Sequence, residues 1–293
     1  MKFSNVAMLL LMFVTIGSAD ADEKASPPAT KTNKEQQDEK LAATRLEFMK
    51  SSVKDYEFVE GPDFESKLSL VPEPILRFTN PVSGLQDGCF LVWTSTAGRP
   101  MVGAQVYLTS DGLWLHEFQS LAPEPLKVTR DDAIIWEPAR AGADQKPVPD
   151  VPAPAAKAAQ RLVQMRQIVR RFFGSDEFEG RKNPDALRLL SNPMLRFGAD
   201  DSETLDGALF AYAHGTDPEL LIVVEALKSD KGYHWHYALA PMTGYALKAT
   251  LDEKPIWEVG FRQAPFDTKD PFYVLVHSRE PSLKSFIDSF RQK

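Results

Sequence analysis

The sequence predicts an α+β fold written twice in tandem. In each copy one amphipathic helix packs on an antiparallel sheet of about five strands, a cystatin-like or similar two-layer arrangement, and the copies pack as a pseudo-dimer. Three observations predict it. RLEFMKSSVKDY (Arg45 to Tyr56) recurs as RLVQMRQIVRRF (Arg161 to Phe172), LSLVPEPILRF (Leu68 to Phe78) as LRLLSNPMLRF (Leu187 to Phe197), and LKVTRDDAIIWE (Leu126 to Glu137) as LKATLDEKPIWE (Leu247 to Glu258). The blocks keep their order, which marks a tandem repeat. In the first block Leu162, Met165, Val169 and Phe172 fall at helical spacing, as do Leu46, Met49, Val53 and Tyr56. β-rich runs separated by Gly, Asp, Asn and Pro follow in the second copy: Leu187 to Phe197, Ala208 to Ala213, Leu220 to Leu227, Tyr233 to Ala240 and Leu247 to Val259.

Lys2, an apolar run from Val6 to Ile16 and the small residues before Ala21 have the make-up of a secretory signal peptide over residues 1–21. The apolar run is shorter than the roughly 20 residues a spanning helix needs. No later segment is apolar enough to span, which predicts a protein that is soluble after cleavage and periplasmic or extracellular. Residues 22–40 are polar and charged and are expected to form a disordered spacer. Copy 1 then covers residues 41–138, a Pro/Ala-rich connector 139–159, and copy 2 residues 160–262. The tail, residues 263–293, has no counterpart in copy 1. Phe272 to Val276 reads as a strand there, and Leu283, Phe286, Ile287 and Phe290 as a helical stripe after Ser282. A formal charge of -7 supplies no basic footprint for nucleic acid. With Cys89 as the single cysteine, no intrachain disulfide forms.

QRLVQMRQIVRRFF and LDGALFAYAHGTDPELLIVVEA resemble phrases of an uncharacterised group of duplicated, exported bacterial proteins. The resemblance extends over most of residues 45 to 260. It implies architecture and carries no activity or catalytic residues.

Chemistry is sparse. Standard catalytic signatures are absent, and His116-Glu117 starts a zincin-like motif in which Ser120 stands where the second histidine belongs. A metal site, if present, would use His234 and His236, two apart on one strand face, with His214 and the neighbouring acids Asp217 and Glu225. Copy 1 has Leu113 and Leu115 in place of the paired histidines, so such a site would belong to copy 2 alone, and no cofactor is expected. Cys89 reads as a small buried thiol. Both copies keep Arg77 and Arg196, Asp87 and Asp206, Trp136 and Trp257, Glu137 and Glu258. As ligand-binding residues, the arginines would read anions and the tryptophans would stack on a sugar or aromatic ligand. As structural residues, the arginines would pair across the sheet with the aspartates. Gly98-Arg99-Pro100 and Asp217-Pro218-Glu219 are expected to be hairpin connections explained by turn chemistry. These features favour an exported, non-catalytic binding or structural module of the bacterial envelope, its partner an envelope protein, polysaccharide or small ligand. The alternatives are an exported hydrolase or metal-dependent enzyme with its site in copy 2, and a small-ligand carrier with a cavity of several hundred Å³ between helix and sheet.

Overall fold

The computed structural model describes residues 32–81, 83–178, 184–200 and 202–279. The signal peptide, most of the expected spacer and the stripe from Leu283 to Phe290 lie outside the described residues. Helix α1 (Asn33–Ser52) starts inside the stretch expected to be a disordered spacer. A capping box sets its start: the Thr32 side chain accepts from the Glu35 N–H, and Glu35 Oε2 accepts from the Thr32 N–H at 2.7 Å. Nine strands follow: β1 (Tyr56–Glu60), β2 (Ser66–Lys67), β3 (Ser69–Leu70), β4 (Leu76–Asn80), β5 (Leu85–Thr94), β6 (Pro100–Leu108), β7 (Leu113–Ser120), β8 (Leu126–Arg130) and β9 (Ala133–Trp136). The connector contributes β10 (Lys146–Pro147). The second half repeats the order with α2 (Ala158–Val169), β11 (Phe172–Glu177), β12 (Asp185–Ala186), β13 (Arg188–Leu189), β14 (Leu195–Phe197), β15 (Thr204–His214), β16 (Asp217–Ser229), β17 (Gly232–Pro241), β18 (Ala246–Leu251) and β19 (Lys254–Val259), and the tail supplies β20 (Phe272–Arg279).

The expected helix-on-sheet copy is wrong. The chain is mostly β, with two helices and four antiparallel sheets among the described residues. Each half carries two sheets where one was expected: a four-stranded sheet (β2-β1-β8-β9 or β12-β11-β18-β19) and a six-stranded one built on β5-β6-β7 or β15-β16-β17. The error has a physical source. Tyr56 and Phe172 continue the helical apolar stripe, yet α1 and α2 end at Ser52 and Val169, and both aromatics open buried edges of new strands. Those two strands, β1 and β11, nucleate the small sheets by pairing with β8 and β18.

Three cores stack through the molecule. In the first, α1 (Met49, Val53) and the small sheet (Phe58, Leu126, Val128) pack on the outer face of β5-β6-β7. The second repeats this with Met165, Ile168 and Leu247 against β15-β16-β17. Between them the two six-stranded sheets meet face to face through Phe90, Val92, Leu121, Leu209, Leu221, Val223, Ala238 and Ala240. The large sheets are therefore buried on both faces, which explains the near-continuous apolar run Leu220-Leu221-Ile222-Val223-Val224. A sheet with one wet face would alternate instead. Close approach demands glycine at Gly88 and Gly207, where an added Cβ would lie 2.7 Å and 2.5 Å from the rings of Phe78 and Phe197.

The segments following each half are exchanged. β10, after the first half, pairs with β17 of the second, and β20, after the second, pairs with β7 of the first. Each exchange covers an edge that would otherwise expose unpaired N–H and C=O groups. Main-chain bonds from Glu137 and Ala139 to Thr268 and Lys269 tie the tail down further.

Candidate functional site in the seam

Strand periodicity decides what reaches the seam. On β16 the even positions Leu220, Ile222, Val224 and Ala226 enter the outer core, so Asp217, Glu219, Leu221, Val223 and Glu225 face the opposite sheet. The same alternation on β6 and β7 directs Gln105, Tyr107 and Glu117 inward. The register makes Pro218 the counterpart of Pro100, each opposite the penultimate or last residue of its partner strand. Arg99 therefore corresponds to Asp217, and Met101 to Glu219.

That exchange of charge makes the two ends of the seam different. At one end Glu225, fully buried, accepts a two-pronged bond from Arg99 (3.0 Å to each oxygen) and a third from Gln145 at 2.7 Å. At the other end an acid stands where the arginine would be. There Glu117, Asp217 and Glu219, all buried, line a cavity of ≈ 310 Å³ together with Tyr107, Tyr245, Phe261, Phe266 and Arg262.

Tyr107 donates its hydroxyl to Glu117 Oε2 at 3.0 Å, and Asn80 donates to Asp217 Oδ2 at 3.1 Å. The second oxygens, Glu117 Oε1 and Asp217 Oδ1, are buried and have no hydrogen-bond partner among the described residues. Burial, reinforced by the charge of Asp217, pushes Glu117 up to about 8. Burial likewise lifts Asp217 to about 7, against its interactions with Asn80 and Gln105. Glu219 rises well above the usual carboxylate range through burial and its acidic neighbours. Arg262 donates to the Thr243 carbonyl at 2.7 Å and lies 4.1 Å over the Phe272 ring, and burial lowers it to about 10. Three buried acids face one guanidinium, so burial and mutual repulsion favour the protonated form of the acids. Their titration belongs to the group and not to single residues.

The residues singled out from sequence fall elsewhere. Arg77 and Arg196 are occupied internally. Each forks onto the aspartate of the next strand, Asp87 or Asp206, at 2.9 and 2.6 Å, and also donates to a carbonyl at the helix, Ala42 or Ala158. Arg161 on α2 adds a third bond to Asp206 at 2.8 Å, and Arg45 approaches Asp87 at 4.0 Å. Trp136 is fully buried, donates to the Asp270 carbonyl and stacks near Phe118 and Tyr273, which leaves no face for a ligand. Trp257 is half-buried and, with Glu258, lines a separate cavity of ≈ 150 Å³ beside Arg140 and Lys146. Glu137 pairs with Lys269 of the tail.

The three candidate histidines do not converge. His214 opposes Asp217 and His236 opposes Glu225, eight residues further along β16 or about 26 Å at about 3.3 Å per residue. His214 instead approaches Asp176 on β11. His116 is buried between Ser52 and Tyr56 and stacked on His277 at 4.3 Å, and burial holds it well below its usual value. Cys89 is fully buried, and burial pushes its thiol up to about 12, an inert state.

Turn chemistry does not account for Asp217-Pro218-Glu219. These residues begin β16 and supply two of the three cavity acids. The signal was in the chain: charges at odd positions flanking an apolar strand, and opposite charge at the matching place of the first half. No family model matches the chain, and comparison with curated proteins and with solved structures gives no match.

Proposed function

We propose that this chain is an exported, non-catalytic binding module of the bacterial envelope whose ligand is a small amphipathic cation held in the seam cavity. One observation carries the reading: Glu117 Oε1 and Asp217 Oδ1 are buried without a hydrogen-bond partner among the described residues, and both residues line a cavity whose walls include Tyr107, Tyr245, Phe261 and Phe266. An ammonium group supplies the missing donors and charge, and the aromatic walls suit an organic body. The cavity size agrees with a carrier of small molecules, placed between two sheets and not between helix and sheet.

Phenethylamine is a suitable probe, with 2-phenylethanol and phenylacetate as neutral and anionic analogues. At pH 8 the amine is expected to raise the thermal midpoint in a concentration-dependent way, approaching the ~2.7 kcal/mol that 100-fold excess over Kd provides. The analogues should leave it unmoved. Equal shifts with all three, or none with the amine, would overturn the reading.

A second reading, an acid–base enzyme, is favoured by two carboxyls, Glu117 and Asp217, lining one cavity with the Tyr107 hydroxyl bonded to Glu117, where burial raises both toward the range general acids use. The two separate on one variant. In an enzyme Glu117→Gln abolishes turnover of a cationic substrate and leaves its binding intact, whereas in a binding module the affinity itself falls.

A further inference from the structure

We propose that Asp176, Asp185 and His214 form a binding site for a divalent transition-metal ion of the zinc type, built from residues other than those that line the seam cavity. One donor atom from each residue lies within 4.8 Å of the other two. The strands dictate the convergence: Asp176 on β11 and Asp185 on β12 are register partners, and His214 ends β15 beside them.

Two features point to an ion and not to a simple hydrogen bond. His214 Nδ1 is 3.4 Å from Asp176 Oδ2, long for a bond to an ionised carboxylate, which closes to about 2.7–2.9 Å. Two ligands each about 2.1 Å from one tetrahedral ion stand about 3.4 Å apart. Second, Asp176 is fully buried, and its Oδ1 has no hydrogen-bond partner among the described residues. An uncompensated buried carboxylate oxygen is costly, and a cation removes that cost. One imidazole with two carboxylates is a borderline donor set that suits zinc or manganese, and it leaves a coordination position for water or a further ligand. The first half lacks the site, since Glu60, Ser66 and Ser95 hold the matching places by register.

The test uses Zn²⁺ alone on the mature chain, purified without a histidine tag and stripped by chelator. Competition titration should show one equivalent bound. Asp176→Asn and His214→Gln should each weaken it by more than about 100-fold, beyond the cost of losing an outer partner of a ligand. The double variant His234→Gln/His236→Gln should bind as the wild type does. A wild-type measurement guards against misfolded variants: Zn²⁺ should shift the His214 imidazole resonance at one equivalent. Absence of stoichiometric binding, an unmoved His214 resonance, or binding that depends on His234 and His236 would overturn the site.

Discussion

Replacing Asp206 with alanine is expected to destabilise the protein by about 3–5 kcal/mol, the cost of breaking a buried ion pair from one side. Asp206 is 3% exposed and accepts bonds from Arg196 and from Arg161, itself buried at 5%. Without the carboxylate, Arg161 keeps exposed Asp200 at 3.3 Å as its charge partner among the described residues. The arginines also hold carbonyls at the start of α2, so the loss should reach helix and sheet together. Urea unfolding followed by circular dichroism measures it, and a loss below about 1 kcal/mol, the range of surface pairs, would show that the cluster does not lock the helix to the sheet. Asp87→Ala should act in the same direction and more weakly, because Arg45 stands further away. Burial tends to raise Asp206, but its bonds to Arg196 and Arg161 outweigh this and hold it below the usual carboxylate value. Its contribution is therefore present above the unfolded value of about 3.9 and is lost as pH falls through the lower folded value.

The seam acids act with the opposite sign. Glu117 and Asp217 titrate higher in the folded chain than the roughly 4 they would show unfolded. The folded state thus binds more protons between pH 4 and the folded values near 7 and 8, and stability falls as pH rises through that window. Without ligand, the wild type should lose several kcal/mol between pH 5 and pH 9, since each pKa unit is worth about 1.4 kcal/mol. Glu117→Gln with Asp217→Asn keeps the shape, removes two of the three raised acids and should shrink that alkaline limb, leaving the part that Glu219 contributes. Denaturant midpoints across a pH series check this, and a wild-type curve as flat as that of the double variant would mean that the acids are not held protonated.

Much of the architecture was readable where periodicity is local. The recurrence of Leu68 to Phe78 in Leu187 to Phe197 and of Leu126 to Glu137 in Leu247 to Glu258 marks equivalent strands in the two halves, but the Asp-Gly pairs expected to be turns lie inside β5 and β15, and the run Leu247 to Val259 is a hairpin of two strands. The division into two sheets per half was not readable, because an apolar stripe running from Leu162 through Phe172 has the same spacing whether or not the chain leaves the helix at Val169. Burial of β15 and β16 on both faces was present as continuous apolar runs, yet a run of that kind does not say what covers its second face. The site was hidden for a related reason. Glu117, Asp217 and Glu219 come from β7 and β16 of different halves, and only the face-to-face stacking brings them to one cavity. Residues kept in both halves drew attention to Arg77, Arg196 and Trp136, and these serve packing. The divergent pair Arg99 and Asp217 carries the chemical difference.

Calorimetric titration of phenethylamine at pH 7, run in two buffers of different ionisation enthalpy, tests the seam cavity most directly, because a cation entering protonated acids must expel protons. The expected result is saturable 1:1 binding with release of about one proton per ligand, and loss of both in Glu117→Gln/Asp217→Asn. Binding without proton release and undiminished in that double variant, or no saturable binding at all, would contradict the assignment of the seam cavity as the ligand site.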